Sequence, residues 1–323
     1  EEKRNSPIYF WGLGYNWQTL CSYFKVLGIN LEEEAEGLID IKNGLNPDEV
    51  NFTQNDLVFI VANVATAYAT EYLAGKGLRI DTDIKSNYCL FELVLRKIFS
   101  PSVSLRNKHR SERCFIVCNG PSIEMDDLDK IAESNIVSFG TNYIYKIFSQ
   151  TAWRPDYYTL SDTILIRQLG EIDKTVTCPK FINLDGAVLA DGIEYDNAYF
   201  YSTNLKEIYL MNTIKPSVGT EMHNLSAGFT VCFYMLQIAF YLGFKEIYII
   251  GCDNTSYHQS AKHIYDNNNS KKIFTVTDFS NEMNLQFSAA RDYAEKNGIE
   301  IYNATRGGEL EVFERIDFDE IQF

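Results

Sequence analysis

"RCFIVCNGPSIEMDDL", Arg113 to Leu128, decides the fold. The apolar run Cys114–Cys118 stops at Asn119-Gly120-Pro121-Ser122, and a helical pattern with acidic residues follows at once. Such a run, bounded by turn residues, reads as a strand buried on both faces, the habit of parallel sheets. Asn119 can donate and accept hydrogen bonds, and Gly120 lets a ligand approach the backbone. Ser122 can cap the next helix and touch phosphate. The tetrapeptide equally suits a plain turn with a helix cap, so its meaning depends on what the other strand ends carry.

Outward from this stretch, the same alternation recurs. "NIVSFGTNYIY" is a strand entering a turn at Gly140-Thr141-Asn142. "PDYYTLSD" is a strand ending at Ser161-Asp162, and "KFINL" is a short strand. "SAGFTVCFYMLQIAFYLGF" is apolar nearly all round, which predicts a buried helix from Ser226 to Gly243. "EIYIIGCD" is a strand ending at Asp253, and "IEIYNAT" a last strand running into Arg306-Gly307-Gly308. An amphipathic helix is expected from about Asp278 to Asn297. Toward the N-terminus, "SPIYFWGLGYNWQTLCSYF" reads as strand, tight turn at Gly12-Leu13-Gly14 and helix, with further strands ending near Asp40 and Ala62. Strands alternating with helices imply parallel sheets with right-handed crossovers. The polar, basic stretch from Ser100 to Arg113 reads as a linker or an exposed connecting segment. The expected organisation is a small Rossmann-like accessory domain over 1–100 and a larger Rossmann-like domain over 101–323.

Composition narrows the function. The chain has 323 residues, net charge -15 and pI about 4.8, with 46% hydrophobic residues. So acidic a chain is a poor non-specific partner for nucleic acid, since phosphate binding needs clustered Lys and Arg. No apolar run approaches the roughly 20 residues that span a bilayer, no secretory signal is visible, and a cytoplasmic location is expected. The seven cysteines are scattered without a C-x-x-C and read as reduced, buried thiols, with no structural metal expected.

In an open parallel sheet, ligands bind at the carboxyl ends of the strands. Those ends are Asn119-Gly120-Pro121-Ser122, Gly140-Thr141-Asn142, Ser161-Asp162, Gly251-Cys252-Asp253 and Asn303 to Gly308, all of them small and polar. Ser226-Ala227-Gly228 adds a helix N-terminus whose free N–H groups attract an anion. Together they point to a nucleotide or nucleotide-sugar site. "CDNTSYHQSAKHIYDN" supplies acid–base candidates in Asp253, Tyr257, His258, His263, Tyr265 and Asp266; His titrates near neutrality and suits a general base. Tyr257 could donate to a leaving phosphate, and His258 and His263 could equally be ordinary loop residues. Arg306 fits a phosphate contact or a surface salt bridge. In the N-terminal part, Gly12-x-Gly14 is half a dinucleotide fingerprint, but Trp17 stands where the third Gly belongs.

The segments "CNGPSI", "FGTNYIY", "RPDYYTLSD", "SAGFTVCFYMLQIAFYLGFKEIYIIGCD" and "IYNATRGGELEVF" resemble the bacterial family named for archaeal 6-hydroxymethylpterin diphosphokinase. This MptE-like family includes motility-associated flagellin glycosyltransferases and proteins of surface-polysaccharide clusters. A more distant resemblance is to bacterial sialyltransferases of the Campylobacter type, which implies a sialyltransferase-like GT-A variant fold. On that resemblance a CMP-sugar lies across the strand ends. Asn119, Gly120 and Ser122 would hold phosphate and ribose, Asn142 would contact the nucleotide, and Ser226, Ala227 and Gly228 would pack on the cytidine side; Pro121, Ser161 and Asp162 join the nucleotide-binding candidates by their place at strand ends. The sialyltransferases use a late His as base; this chain reads "TDFSNEMN" there, so Asp278, Glu282 or His263 would have to serve.

The expected function is a glycosyltransferase using a nucleotide-activated sugar, CMP-linked and sialic-acid-like, in bacterial surface glycan or glycoprotein synthesis, with inversion at the anomeric carbon implied by the resemblance. His263, Tyr257 and Asp253 carry the chemistry in this reading, and Arg306 contacts phosphate. One alternative is a Mg-dependent diphosphokinase moving pyrophosphate from ATP to a pterin alcohol, with Asp162 and Asp253 as oxygen ligands. The other is a non-catalytic nucleotide-binding module. No tightly bound cofactor is expected. The partners expected are the sugar donor, a glycan, lipid-linked or protein acceptor, and further copies of the chain in a homo-oligomer.

Overall fold

The computed structural model describes residues 6–62, 66–190, 192–204, 216–254, 263–265 and 280–323. Cα proximity divides the chain into Glu1–Ile98 with Asp191–Tyr195, and Phe99–Ala190 with Asp196–Phe323.

The first unit holds β1 (Ile8–Trp11), α1 (Tyr15–Val26), β2 (Gly37–Ile39), β3 (Leu57–Ile60), α2 (Thr66–Gly75), β4 (Ile84–Ser86) and the start of α3 (Asn87–Val103). Its sheet is parallel in the order β2-β1-β3-β4. Trp11, Ile39, Val58, Ile60 and Leu73 fill its core. Gly12 takes φ 101°, and a Cβ there would fall 2.6 Å from the Ala62 Cβ, so the turn after β1 is closed tightly against the end of β3. Trp17 packs on Phe10 at 4.8 Å between ring centroids. The Asp40 carboxylate accepts from the N–H groups of Leu13, Lys42 and Asn43, which hold it below the usual carboxylate range. This acid, at the place of a ribose-binding acid, serves the local turns instead.

The second unit begins inside α3, so the expected linker is corrected: α3 continues through Pro101 to Val103. Beyond it, the N–H groups of Asn107, His109 and Ser111 donate to the carbonyls of Tyr241, Leu242 and Gly243, and the His109 ring stacks on Phe244 at 4.7 Å. The stretch is largely exposed, as a connecting segment would be, while its backbone is tied along a helix end. Then come β5 (Arg113–Val117), α4 (Met125–Glu133), β6 (Val137–Thr141), β7 (Tyr157–Leu160), α5 (Thr163–Ile166), α6 (Leu169–Ile172), β8 (Lys180–Asn183), α7 (Leu184–Leu189) and β9 (Ala198–Tyr201). They are followed by α8 (Val231–Leu242), β10 (Glu246–Ile250), α9 (Ser280–Lys296), β11 (Glu300–Asn303) and β12 (Glu314–Arg315).

This sheet has eight parallel strands in the order β12-β11-β10-β5-β6-β7-β8-β9. The expected α/β class of two parallel-sheet units holds. The chain runs outward from β5 to β9, then returns to place β10 against β5 on the other side, so the strand order reverses between β5 and β10. α8 lies against β5 and β7 and is buried from Cys232 to Leu242, which explains its lack of a polar face. Trp153 is fully buried and donates from Nε1 to Ser138 Oγ at 3.0 Å, a packing residue under the sheet. Among the described residues, no helix is long and apolar enough to cross a membrane.

Candidate active site at the strand-order reversal

A reversal of strand order leaves a crevice beyond the carboxyl ends of the two central strands, because their connections leave in opposite directions. In the second unit that crevice is a cavity of about 400 Å³. Cys118, Asn119, Gly120 and Pro121 after β5, Asn142 after β6, and Ser161 and Asp162 after β7 line it. Gly251 to Asn254 after β10 close the opposite side. Phe229, Thr230 and Val231 form one wall, Met283 and Phe287 of α9 another, and His263 stands at the cavity as well.

The two central strand ends are pinned together. The Gly120 N–H donates to the Gly251 carbonyl at 2.8 Å. A Cβ on Gly120 would fall 1.6 Å from Asp253 Oδ2 and 2.5 Å from the Gly251 oxygen, so only glycine fits. Ser122 Oγ donates to Asp253 Oδ2 at 2.8 Å. Burial raises the Asp253 carboxyl above its ordinary value, against the lowering effect of that Ser122 hydrogen bond. The Asp253 backbone is gripped from behind: the Glu309 N–H donates to its carbonyl at 2.6 Å, and Gly308, at φ 73°, leaves no room for a side chain against it. The Asn303–Gly308 strand end therefore supports the crevice from outside its lining.

Asn119 is 7% exposed, and its Oδ1 has no hydrogen-bond partner among the described residues. Its backbone carbonyl accepts from the Ile264 N–H at 3.0 Å, which brings the 263–265 segment to the cavity. There His263 stacks on Tyr265 at 5.1 Å, Tyr265 meets Tyr143 edge-on at 5.5 Å, and Lys146 Nζ lies 4.1 Å from the Tyr143 ring centroid. Asn142 adopts φ 53°, with its carbonyl accepting from the Tyr158 hydroxyl. Asp162 caps α5 by accepting from the Ile164 N–H at 2.7 Å.

Several expectations need correction. The buried helix starts at Val231 rather than Ser226, because Thr230 Oγ1 accepts from the Cys232 N–H and caps it. Ser226, Ala227 and Gly228 do not line the cavity. The Ser226 N–H donates to Gln237 Oε1, the Ala227 carbonyl accepts from Gln286 Nε2, and the Gly228 N–H donates to the Tyr234 hydroxyl. Their polar groups are taken, and the next three residues form the wall instead. Ser122 neither caps α4 nor lines the cavity; it holds Asp253. Arg306 makes a bidentate pair with Asp127, at 2.7 and 2.8 Å, and reaches Asp319 at 3.0 Å, so its guanidinium is occupied by carboxylates and is no phosphate contact. Glu282 is half-buried and outside the lining, while its neighbours Met283 and Phe287 line it. Tyr257, His258, Asp266 and Asp278 lie outside the described residues.

Two features escaped the sequence reading. The buried Gln237 and Gln286 hold the backbone that leads to the Phe229–Val231 wall: Gln237 Oε1 accepts from the Gly219 and Ser226 N–H groups, and Gln286 Oε1 accepts from the Phe229 N–H. A polar residue in a wholly apolar helix was the available signal at Gln237. The second is a thiol cluster. Cys89 is exposed rather than buried, and the sulfurs of Cys118, Cys232 and Cys252 lie within 4.8 Å of one another at the cavity floor. Hydrogen bonds from Cys118 and Cys232 hold the Cys252 thiol well below the usual range. Hydrogen bonds with Cys118 and Cys252, together with burial, push Cys232 well above it.

A comparison with known families matches residues 94–259 to the one described as 6-hydroxymethylpterin diphosphokinase MptE-like, just over half of the chain. No curated protein matches. Among solved structures, the chain is similar to the MAf glycosyltransferase from Magnetospirillum magneticum AMB-1, with 14% identity and a TM-score of 0.46, covering 82% of this chain and 49% of that one. The chain thus spans about half the length of that protein. It is also similar to the sialyltransferase CstII from Campylobacter jejuni, solved with cytidine-5'-monophosphate, with 16% identity, a TM-score of 0.44 and coverage of 66% and 88%. The same sialyltransferase solved with CMP-3FNeuAc gives 15% identity, a TM-score of 0.43 and coverage of 66% and 89%.

Proposed function

The chain belongs to the MptE-like family, and from that premise we propose that it is a glycosyltransferase that draws its sugar from a CMP-linked donor held at the β5–β10 crevice. The observation that carries the reading is Asn119. An amide oxygen buried without a donor costs free energy unless a ligand supplies one. A cytosine amino group or a ribose hydroxyl is such a donor, and the crevice has room for a nucleotide.

Charge separates the donor classes. Among the described residues lining the crevice there is no Lys or Arg. That is a poor cradle for the concentrated charge of a triphosphate, and a tolerable one for the single phosphodiester of a CMP-sugar. The lining carboxylates are partly engaged, Asp162 as a helix cap and Asp253 by Ser122. Pyrophosphoryl transfer keeps one point in its favour: both acids reach the crevice, where free carboxylate oxygens suit Mg²⁺.

Sugar transfer asks for a base at the acceptor hydroxyl and a donor to the leaving phosphate. His263 is the proposed base, as the one imidazole among the described lining residues. Asp253, held by Ser122, would orient donor or acceptor hydroxyls, and Asn142 and Ser161 would hydrogen-bond the nucleotide.

Thermal stabilisation by CMP, CDP, UDP and ATP, each with and without Mg²⁺, tests the reading. The expected result is a shift with CMP that needs no metal. A shift confined to ATP with Mg²⁺ would establish the diphosphokinase instead, and no shift with any nucleotide would overturn the site.

A further inference from the structure

The three sulfurs at the crevice floor come from three separate elements. Cys118 follows β5, Cys252 follows β10, and Cys232 stands in the first turn of α8. Nothing in their sequence spacing associates them, yet the fold brings all three Sγ atoms within 4.8 Å of one another. Cys232 is fully buried, Cys118 nearly so, and Cys252 half-buried. Three thiols converging on one point do more than fill a core. The adjacent α8 positions pack the core with Phe, Met and Leu, whereas these three positions bring soft metal-binding sulfurs to one point.

We propose that Cys118, Cys232 and Cys252 form a three-thiolate site for a thiophilic ion of the Zn²⁺ class, with the fourth coordination position directed at the crevice. Zn²⁺ binds thiolate at about 2.3 Å in tetrahedral geometry, which sets sulfur–sulfur separations near 3.8 Å, so closing this cluster takes movements of about an ångström. Cys118 and Cys252 line the crevice, which gives the ion a route in and leaves its open side facing the cavity. Structural zinc sites are closed by four protein ligands, whereas a site with three protein ligands keeps a position for water or a substrate oxygen. On binding, thiol protons are released and three sulfur–metal bonds form, with no change of oxidation state. The site stands apart from the identity of the nucleotide: it would hold its ion in a sugar transferase, a diphosphokinase or a module without activity.

The test titrates Co²⁺, then Zn²⁺, into the reduced, chelator-treated protein without nucleotide. The expected result is one Co²⁺ per chain with an intense near-ultraviolet thiolate-to-metal band, abolished by one equivalent of Zn²⁺. Cys252→Ser, the least buried exchange, should weaken that band and lower Zn²⁺ affinity by at least ~100-fold. Cys89→Ser should change neither. Cys118→Ala repeats the test should the serine variant fold poorly, and the wild-type spectrum decides independently of both. Absence of the thiolate band at stoichiometric Co²⁺ would overturn the proposal. So would a band that survives both ligand variants.

Discussion

Asn119, Gly120 and Asp253 answer the question posed by a buried strand that ends in a small polar turn. Gly120 is needed because Asp253 fills the space of its side chain, and Asn119 is left with a buried amide oxygen that meets no donor among the described residues. His263 carries the proposed proton transfer. Exchanging His263 for Ala should lower turnover of a CMP-linked donor by about 100-fold while the CMP-induced thermal shift is retained, because a general base contributes to the chemical step and little to nucleotide affinity. Unchanged turnover removes it from the mechanism. Asn119, Asn142, Asp162 and Asp253 could be picked from the sequence because each follows an apolar run whose end is unmistakable. For Arg306 the sequence left a phosphate contact and a salt bridge open, and the salt bridge is the one formed: its partner Asp127 lies 179 positions away, and only the folded chain sets a guanidinium against it. The thiol cluster was hidden for the same reason, since its members sit on separate elements.

The α8 helix shows how an element's composition can reveal its existence and conceal its start. A segment apolar on every side has no phase from which to place its first turn, so Ser226 and Thr230 competed as caps, and Thr230 won because Ser226 is held by Gln237. That glutamine explains the wall of the crevice. It accepts from Gly219 and Ser226 N–H and donates to the Ser226 and Phe233 carbonyls. Gln237→Ala leaves the buried Ser226 N–H and the half-buried Gly219 N–H without partners, which should cost about 3 kcal/mol of stability. It should also weaken CMP binding although Gln237 is absent from the lining; urea denaturation and CMP titration of the same sample measure both. A variant of wild-type stability and affinity would show that the wall needs no such support.

Across the second unit, the eight-stranded order places the crevice before any side chain is considered. β5 and β10 are neighbours whose connections leave to opposite sides, and four of the five small polar strand ends read from the sequence line the cavity there; the fifth braces Asp253 from behind. Sheet order was not legible in the sequence, since parallel strands of similar apolar content pair equally well in many orders; what was legible was that each strand would finish in something small and polar. The central claim is that one nucleotide lies across those ends. A crystal structure of the chain with CMP tests it most directly. The account predicts the nucleotide against Phe229–Val231, with a donor group within hydrogen-bond distance of Asn119 Oδ1. A nucleotide seated on the four-stranded sheet of the first unit, with Asn119 Oδ1 still unpartnered, would contradict it.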